Sequence, residues 1–83
     1  MEIYLSAYAE KQFHQLSTSI QKRIATKIRF YRTHENPLKL AKPLTGRPFF
    51  RFRIGDYRLV FRIIEKDIYI ITIDKRSDVY RDL

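Results

Sequence analysis

The stretch Phe50-Arg51-Phe52-Arg53-Ile54-Gly55-Asp56-Tyr57-Arg58-Leu59-Val60-Phe61-Arg62-Ile63 places apolar residues at every second position on both sides of a Gly-Asp pair. A period of two is the pattern of a strand with one packed face and one different face. A two-residue loop with glycine first suits a type II′ hairpin turn, whose twist matches that of the flanking strands. The turn fixes the register. It sets Ile54 opposite Tyr57, Arg53 opposite Arg58, Phe52 opposite Leu59 and Phe50 opposite Phe61. One face then collects Phe50, Phe52, Ile54, Tyr57, Leu59, Phe61 and Ile63, and must be core; the other collects Arg51, Arg53, Arg58, Val60 and Arg62.

Downstream, Glu65-Lys66-Asp67 turns the chain into a third strand, Ile68 to Ile73, and Asp74 to Leu83 reads as a polar tail. Upstream, a loop carries Pro43 and Gly46-Arg47-Pro48. Before it, His34-Glu35-Asn36-Pro37 ends a helix, because proline disfavours the α conformation at the preceding residue. That helix shows an apolar stripe of Ile20, Ile24, Ile28 and Tyr31 at helical spacing, and Thr18 with Gln21 has the spacing of a capping box at its start. Ser17-Thr18-Ser19 separates it from an earlier helix over Ala7 to Leu16, for which Ser6 is the N-cap. Glu2 to Leu5 is a short β-prone run. The expected architecture is α+β: an N-terminal strand, a helical hairpin, then a three-stranded antiparallel meander. The helices pack on one sheet face and leave the other open.

Eighty-three residues make a single domain, expected to span 1–83. The absence of cysteine excludes disulfides, thiolate metal ligation and thiol nucleophiles, and His14 and His34 make a poor ligand pair, so no metal and no cofactor is expected. The opening Met-Glu-Ile-Tyr carries an acid where a signal peptide requires base, and the longest apolar run is Ile68 to Ile73, interrupted by Thr72. A cytoplasmic protein with no membrane segment is expected. Seventeen Lys and Arg against nine Asp and Glu give a net charge of +8, which points to a polyanionic partner such as nucleic acid, or to an acidic protein.

Opposed like charges on neighbouring strands are unfavourable, so Arg53 across from Arg58, with Arg51 and Arg62 on the same surface, calls for compensation. An anion lying across the sheet would supply it, since guanidinium forks match phosphate bidentately. A solvated face kept for solubility is the alternative, and the residues alone leave both open. Phe49, Tyr57 and Tyr80 are the aromatics near that face; the register sends Tyr57 to the packed side, which leaves Tyr80 as the better candidate to stack on a base or to donate a proton. His14 and His34 read as structural, and Asp56, Asp74 and Asp78 as turn-capping residues.

The runs Leu44-Thr45-Gly46-Arg47-Pro48, Phe50 to Phe61 and Arg76-Ser77-Asp78-Val79-Tyr80 resemble the RelE/ParE superfamily of toxin-antitoxin toxins. The likeness covers essentially the whole chain and is closer to the RelE branch. It implies a RelE-like fold and a ribosome-dependent mRNA endoribonuclease that inhibits translation. Cleavage is then metal-independent: the ribose 2′-hydroxyl attacks the adjacent phosphate to give a 2′,3′-cyclic phosphate and a 5′-hydroxyl. By the same resemblance Arg51 and Arg53 grip mRNA phosphates, Arg58 stabilises the transition state, and Tyr80 stacks on or assists at the base. Lys75 or Arg76 supplies a further basic contact and Arg62 an RNA contact. Some relatives carry lysine at the Arg51 and Arg53 positions, and arginine is a poor general base. Lys75, Tyr80 or a group of the ribosome and substrate are the candidates to fill that role. The implied partners are a cognate antitoxin protein, the ribosomal A site with its mRNA, and operator DNA bound through the antitoxin. The alternative is a ParE-like DNA gyrase inhibitor with no nuclease activity.

Overall fold

The computed structural model describes residues 1–75. The hairpin forms in the expected register: β3 (Phe50–Ile54) and β4 (Tyr57–Ile64) pair antiparallel with Ile54 opposite Tyr57, Arg53 opposite Arg58, Phe52 opposite Leu59 and Phe50 opposite Phe61. Gly55 has φ +60°, while Asp56 is not among the positive-φ residues, in keeping with glycine at the first turn position. The positive φ favours glycine there; a Cβ would stand 3.0 Å from Nη1 of Arg23, the tip of a flexible side chain that can shift aside.

Ahead of the hairpin lie β1 (Ile3–Leu5), α1 (Ala7–His14), α2 (Thr18–Thr33), a 3-10 turn at Pro37–Leu40 and β2 (Lys42–Pro43). After it comes β5 (Asp67–Lys75), which is longer than the sequence pattern suggests and takes in Asp74 and Lys75, expected to open the tail. The sheet is mixed, in the order β1-β5-β4-β3-β2. The N-terminal strand pairs parallel with β5, Ile3 beside Ile68 and Leu5 beside Ile70. The meander gains an edge strand, Lys42 and Pro43 pairing with Arg51 and Phe50; proline is tolerated on an edge, where no ladder donor is missed.

Both helix starts are capped by serine. Ser6 Oγ accepts from the Ala9 N–H at 3.0 Å and Ser17 Oγ from the Ile20 N–H at 3.3 Å, so the cap of α2 lies one residue before the expected Thr18. The Gln21 side chain donates instead to the carbonyls of Leu16 (3.0 Å) and His14 (3.3 Å), satisfying acceptors around the end of α1. Ala9 of α1 and Ile24 and Tyr31 of α2 are buried, and Ile20 and Ile28 pack against the same core. On the sheet side the core holds Phe52, Ile54, Leu59, Phe61, Ile68, Ile70 and Ile73. Its centre is a stack of rings: Tyr31 lies 3.8 Å from Phe52 at 9°, and Phe52 lies 4.5 Å from Phe61. Burial pushes the Tyr31 hydroxyl above its ordinary pKa, which keeps it neutral. Among the described residues no helix is long and apolar enough to cross a membrane.

The third strand departs from simple alternation. Phe61 faces Ile70 but Val60 faces Thr72, so Ile71 is an extra residue, a β-bulge. β1 ends beside Ile70, and beyond it the side chains of Ser6, the N-cap of α1, and Gln12 within α1 bond the backbone of β5. Ser6 Oγ donates to the Ile71 carbonyl at 2.8 Å, and Gln12 Oε1 accepts the Ile73 N–H at 2.7 Å.

Candidate nucleic-acid interface

The hairpin register turns Arg51, Arg53, Arg58 and Arg62 to the same side of the sheet, opposite the buried Phe52, Leu59 and Phe61. This side is less open than expected. Residues 44–49 fold back along it, and Arg58 is only 5% exposed. The return is built locally. The Arg47 N–H donates to the Leu44 carbonyl at 3.2 Å, with Gly46 at φ +72° in the third turn position, which demands a positive φ in a type II turn. The Leu44 N–H donates to the Phe49 carbonyl at 2.9 Å and closes the loop beside β3.

Between this loop and the sheet lies a pocket of about 320 Å³. Arg47, Arg51 and Arg58 line it, together with Phe49, apolar side chains and Asp74. The size falls at the small end of ligand sites, which run from about 300 to 1,000 Å³. Three guanidinium-bearing residues on one pocket favour an anion, and Phe49 with its apolar neighbours offers a flat surface to a base. The Nε of Arg51 is buried, and among the described residues it has no hydrogen-bond acceptor. Leaving such a donor unmatched costs about 1–3 kcal/mol, which a phosphate oxygen in the pocket would recover.

The remaining candidates are distributed around this centre. Arg53 is exposed beside Arg58, outside the pocket lining. Arg62 is exposed on the same side but four residues along β4, opposite Tyr69, whose ring stacks on Tyr4 at 5.1 Å. Lys75 is the exception. It lies opposite Tyr57, on the helix-covered side, near Gln12 and Leu16 of the helical hairpin. The bulge is the reason. Unbroken alternation from Ile68 and Ile70 would turn Lys75 toward the arginines and Asp74 toward the helices; one extra residue exchanges them. Asp74 therefore sits opposite Arg58, in the pocket rather than capping a turn. Arg76 and Tyr80 lie outside the described residues.

Sequence reasoning missed Arg47 and Asp74 as pocket residues. The first was signalled by Gly46, whose turn carries Arg47 back toward the sheet; the second depends on a bulge inside an apolar run that marks no phase. His14 and His34 are structural in position: the first lies 3.8 Å from Glu10 on the surface of α1, and the Nδ1 of the second accepts the Asn36 N–H at 3.0 Å. Among the described residues no group of three or more His, Cys, Asp or Glu comes together as a metal site.

In solved structures the chain is similar to the RelBE2 toxin-antitoxin complex of Mycobacterium tuberculosis, with 26% identity, a TM-score of 0.74, and 90% of this chain and 96% of that one covered. It is also similar to the RelB-RelE complex of Methanococcus jannaschii, with 23% identity, a TM-score of 0.75, and 96% and 98% covered. The chromosomal ParDE system of P. aeruginosa matches with 13% identity and a TM-score of 0.75, over 90% of this chain and 95% of that one. Comparison with curated proteins gives no match in sequence. The family model described as ParE toxin of the type II toxin-antitoxin system, parDE, matches residues 3–80. A two-helix layer on a five-stranded mixed sheet and a family match over nearly the whole length together make this chain a member of the RelE/ParE superfamily of toxins.

Proposed function

We propose that this toxin is a ribosome-dependent mRNA endoribonuclease of the RelE kind, cleaving by attack of a ribose 2′-hydroxyl on its own 3′-phosphate. The observation that carries this reading is the pocket lined by Arg47, Phe49, Arg51 and Arg58, with the buried Nε of Arg51 unmatched among the described residues. In-line attack builds negative charge on the phosphorane oxygens, and fixed donors in a partly buried site stabilise that charge more than water does. Arg58 is the transition-state donor, held in the middle of the sheet between β3 and β5. Arg51 and Arg53 hold flanking phosphates, and Arg62 extends the basic track along β4. Tyr80, with Arg76 before it, is the proposed base-stacking group. Lys75 lies on the side away from the pocket lining, which disfavours it against Arg76 as the remaining basic contact.

The partners follow from the same surface. A cognate antitoxin protein, the kind of partner found with the similar RelE chains, would neutralise the toxin by covering the arginine face, and the complex would meet operator DNA through the antitoxin. The released toxin would enter the ribosomal A site and engage the mRNA there, in the cytoplasm. One observation favours the alternative, a ParE-like gyrase inhibitor: no lysine or histidine lines the pocket among the described residues, and a binding inhibitor needs none. Primer extension on mRNA from expressing cells, run beside a supercoiling assay with purified gyrase, separates the two. Cuts at codon positions that vanish when translation initiation is blocked are the expected result; uncut messages with gyrase trapped on DNA would replace the nuclease by the inhibitor.

A further inference from the structure

Cleavage by a 2′-hydroxyl requires a proton acceptor beside that hydroxyl, and arginine cannot act as one because it keeps its proton at any physiological pH. Among the described residues lining the pocket, the one carboxylate belongs to Asp74; the other side chains are apolar, arginine or the Thr72 hydroxyl. We propose that Asp74 is the general base of this site, an assignment that rests on the nuclease reading above.

Its placement is built into the fold. The bulge at Ile71 reverses the phase of β5, so that Thr72 and Asp74 stand on the pocket side and Asp74 falls in register with Arg58. The carboxylate is oriented from behind. Thr72 Oγ1 lies 3.0 Å from Asp74 Oδ1 and 3.1 Å from Gln12 Oε1, and Gln12 is itself fixed by the Ile73 N–H at 2.7 Å. The single Thr72 hydroxyl proton is shared between these two oxygens, and when given to Asp74 it holds one carboxylate oxygen; among the described residues Oδ2 has no hydrogen bond, which leaves it to the substrate. The general base and the transition-state arginine sit on adjacent strands, as removing a proton and stabilising the resulting charge at one phosphate requires.

The reaction balances with water as the only other participant. The 2′ O–H bond breaks and its proton passes to the Asp74 carboxylate. The freed oxygen lone pair forms the bond to phosphorus, and the bond to the 5′-oxygen breaks with its electron pair. That oxygen takes a proton from water and leaves as the 5′-hydroxyl; Asp74 then returns its proton to solvent. Thr72 is a positioning residue, since it acts only through the carboxylate.

Asp74→Asn and Asp74→Glu in the full chain, assayed on mRNA-programmed ribosomes, test the assignment. Two quantities are measured: the single-turnover cleavage rate, and the affinity for ribosomes programmed with 2′-O-methyl mRNA, which cannot react. Asp74→Asn keeps an acceptor for Thr72 but no base, and is expected to lower the rate by about 10²–10⁴-fold. Its affinity for the unreactive message should be unchanged or tighter, because a negative charge has left a cationic pocket. Asp74→Glu should cleave faster than Asp74→Asn. A loss of rate with no loss of affinity is the signature a structural residue would not give. Asp74→Asn cleaving near the wild-type rate would overturn the assignment and leave the nuclease reading standing, as would parallel loss of rate and affinity. A wild-type chain that cleaves nothing would defeat both.

Discussion

Replacing Arg58 by alanine is expected to lower translation-dependent mRNA cleavage by about 10²–10³-fold, the usual consequence of removing one donor to a transition-state oxyanion. Arg58 is placed for this role by three features: it is 5% exposed, it faces Arg53 on one neighbouring strand and Asp74 on the other, and it lines the pocket with Arg47 and Arg51. A partly buried guanidinium acts in a lower dielectric than one in water, which strengthens its pull on a developing charge. The effect should appear in the rate on bound ribosomes, with a smaller change in ribosome affinity. A thermal melt checks that the variant folds, since a buried arginine also contributes packing through its aliphatic stem. Undiminished cleavage and growth arrest in a folded Arg58→Ala protein would remove Arg58 from the mechanism.

The second large effect concerns the fold that holds the pocket. Phe52 is fully buried, stacked between Tyr31 of α2 and Phe61 of β4, so it joins the helical layer to the sheet. Phe52→Ala should cost about 3–5 kcal/mol, from lost transfer energy and the cavity left behind. A domain has about 5–15 kcal/mol in total, so this one change would remove much of the stability. Urea denaturation followed by tyrosine fluorescence or circular dichroism reads the shift in midpoint. A shift no larger than that of an exposed residue such as Phe30 would mean that the stack is not the keystone of the core.

The two predictions draw on opposite faces of one hairpin, and that hairpin was the most legible part of the sequence. Alternation fixed the packed and basic faces, and the Gly55-Asp56 reversal fixed the pairing, because a two-residue turn leaves no freedom in register. The helical stripe of Ile20, Ile24, Ile28 and Tyr31 was equally readable, since helical spacing directs all four to one side. What stayed hidden depends on long-range placement. Gly46 marks a turn, but the local sequence does not say that this turn lays residues 44–49 over the arginines and makes a pocket of an open face. In Ile70-Ile71-Thr72-Ile73 the near-continuous apolar run carries no alternation, so a bulge leaves no mark, yet it decides that Asp74 rather than Lys75 joins Arg58. The start of α2 was read one residue late, at Thr18, because the spacing to Gln21 marks a capping box while the hydroxyl that reaches the Ile20 N–H is that of Ser17.

The central claim is that Arg51 and its neighbours hold RNA phosphate in this pocket, and the salt dependence of binding reads that contact directly. Affinity for ribosomes programmed with 2′-O-methyl mRNA, measured across a range of salt concentrations, gives a log–log slope set by the number of phosphates neutralised. Arg51→Ala is predicted to bind more weakly and to reduce the magnitude of that slope by about 0.7, the equivalent of one single-stranded phosphate contact. Wild-type and variant lines that run parallel would contradict it.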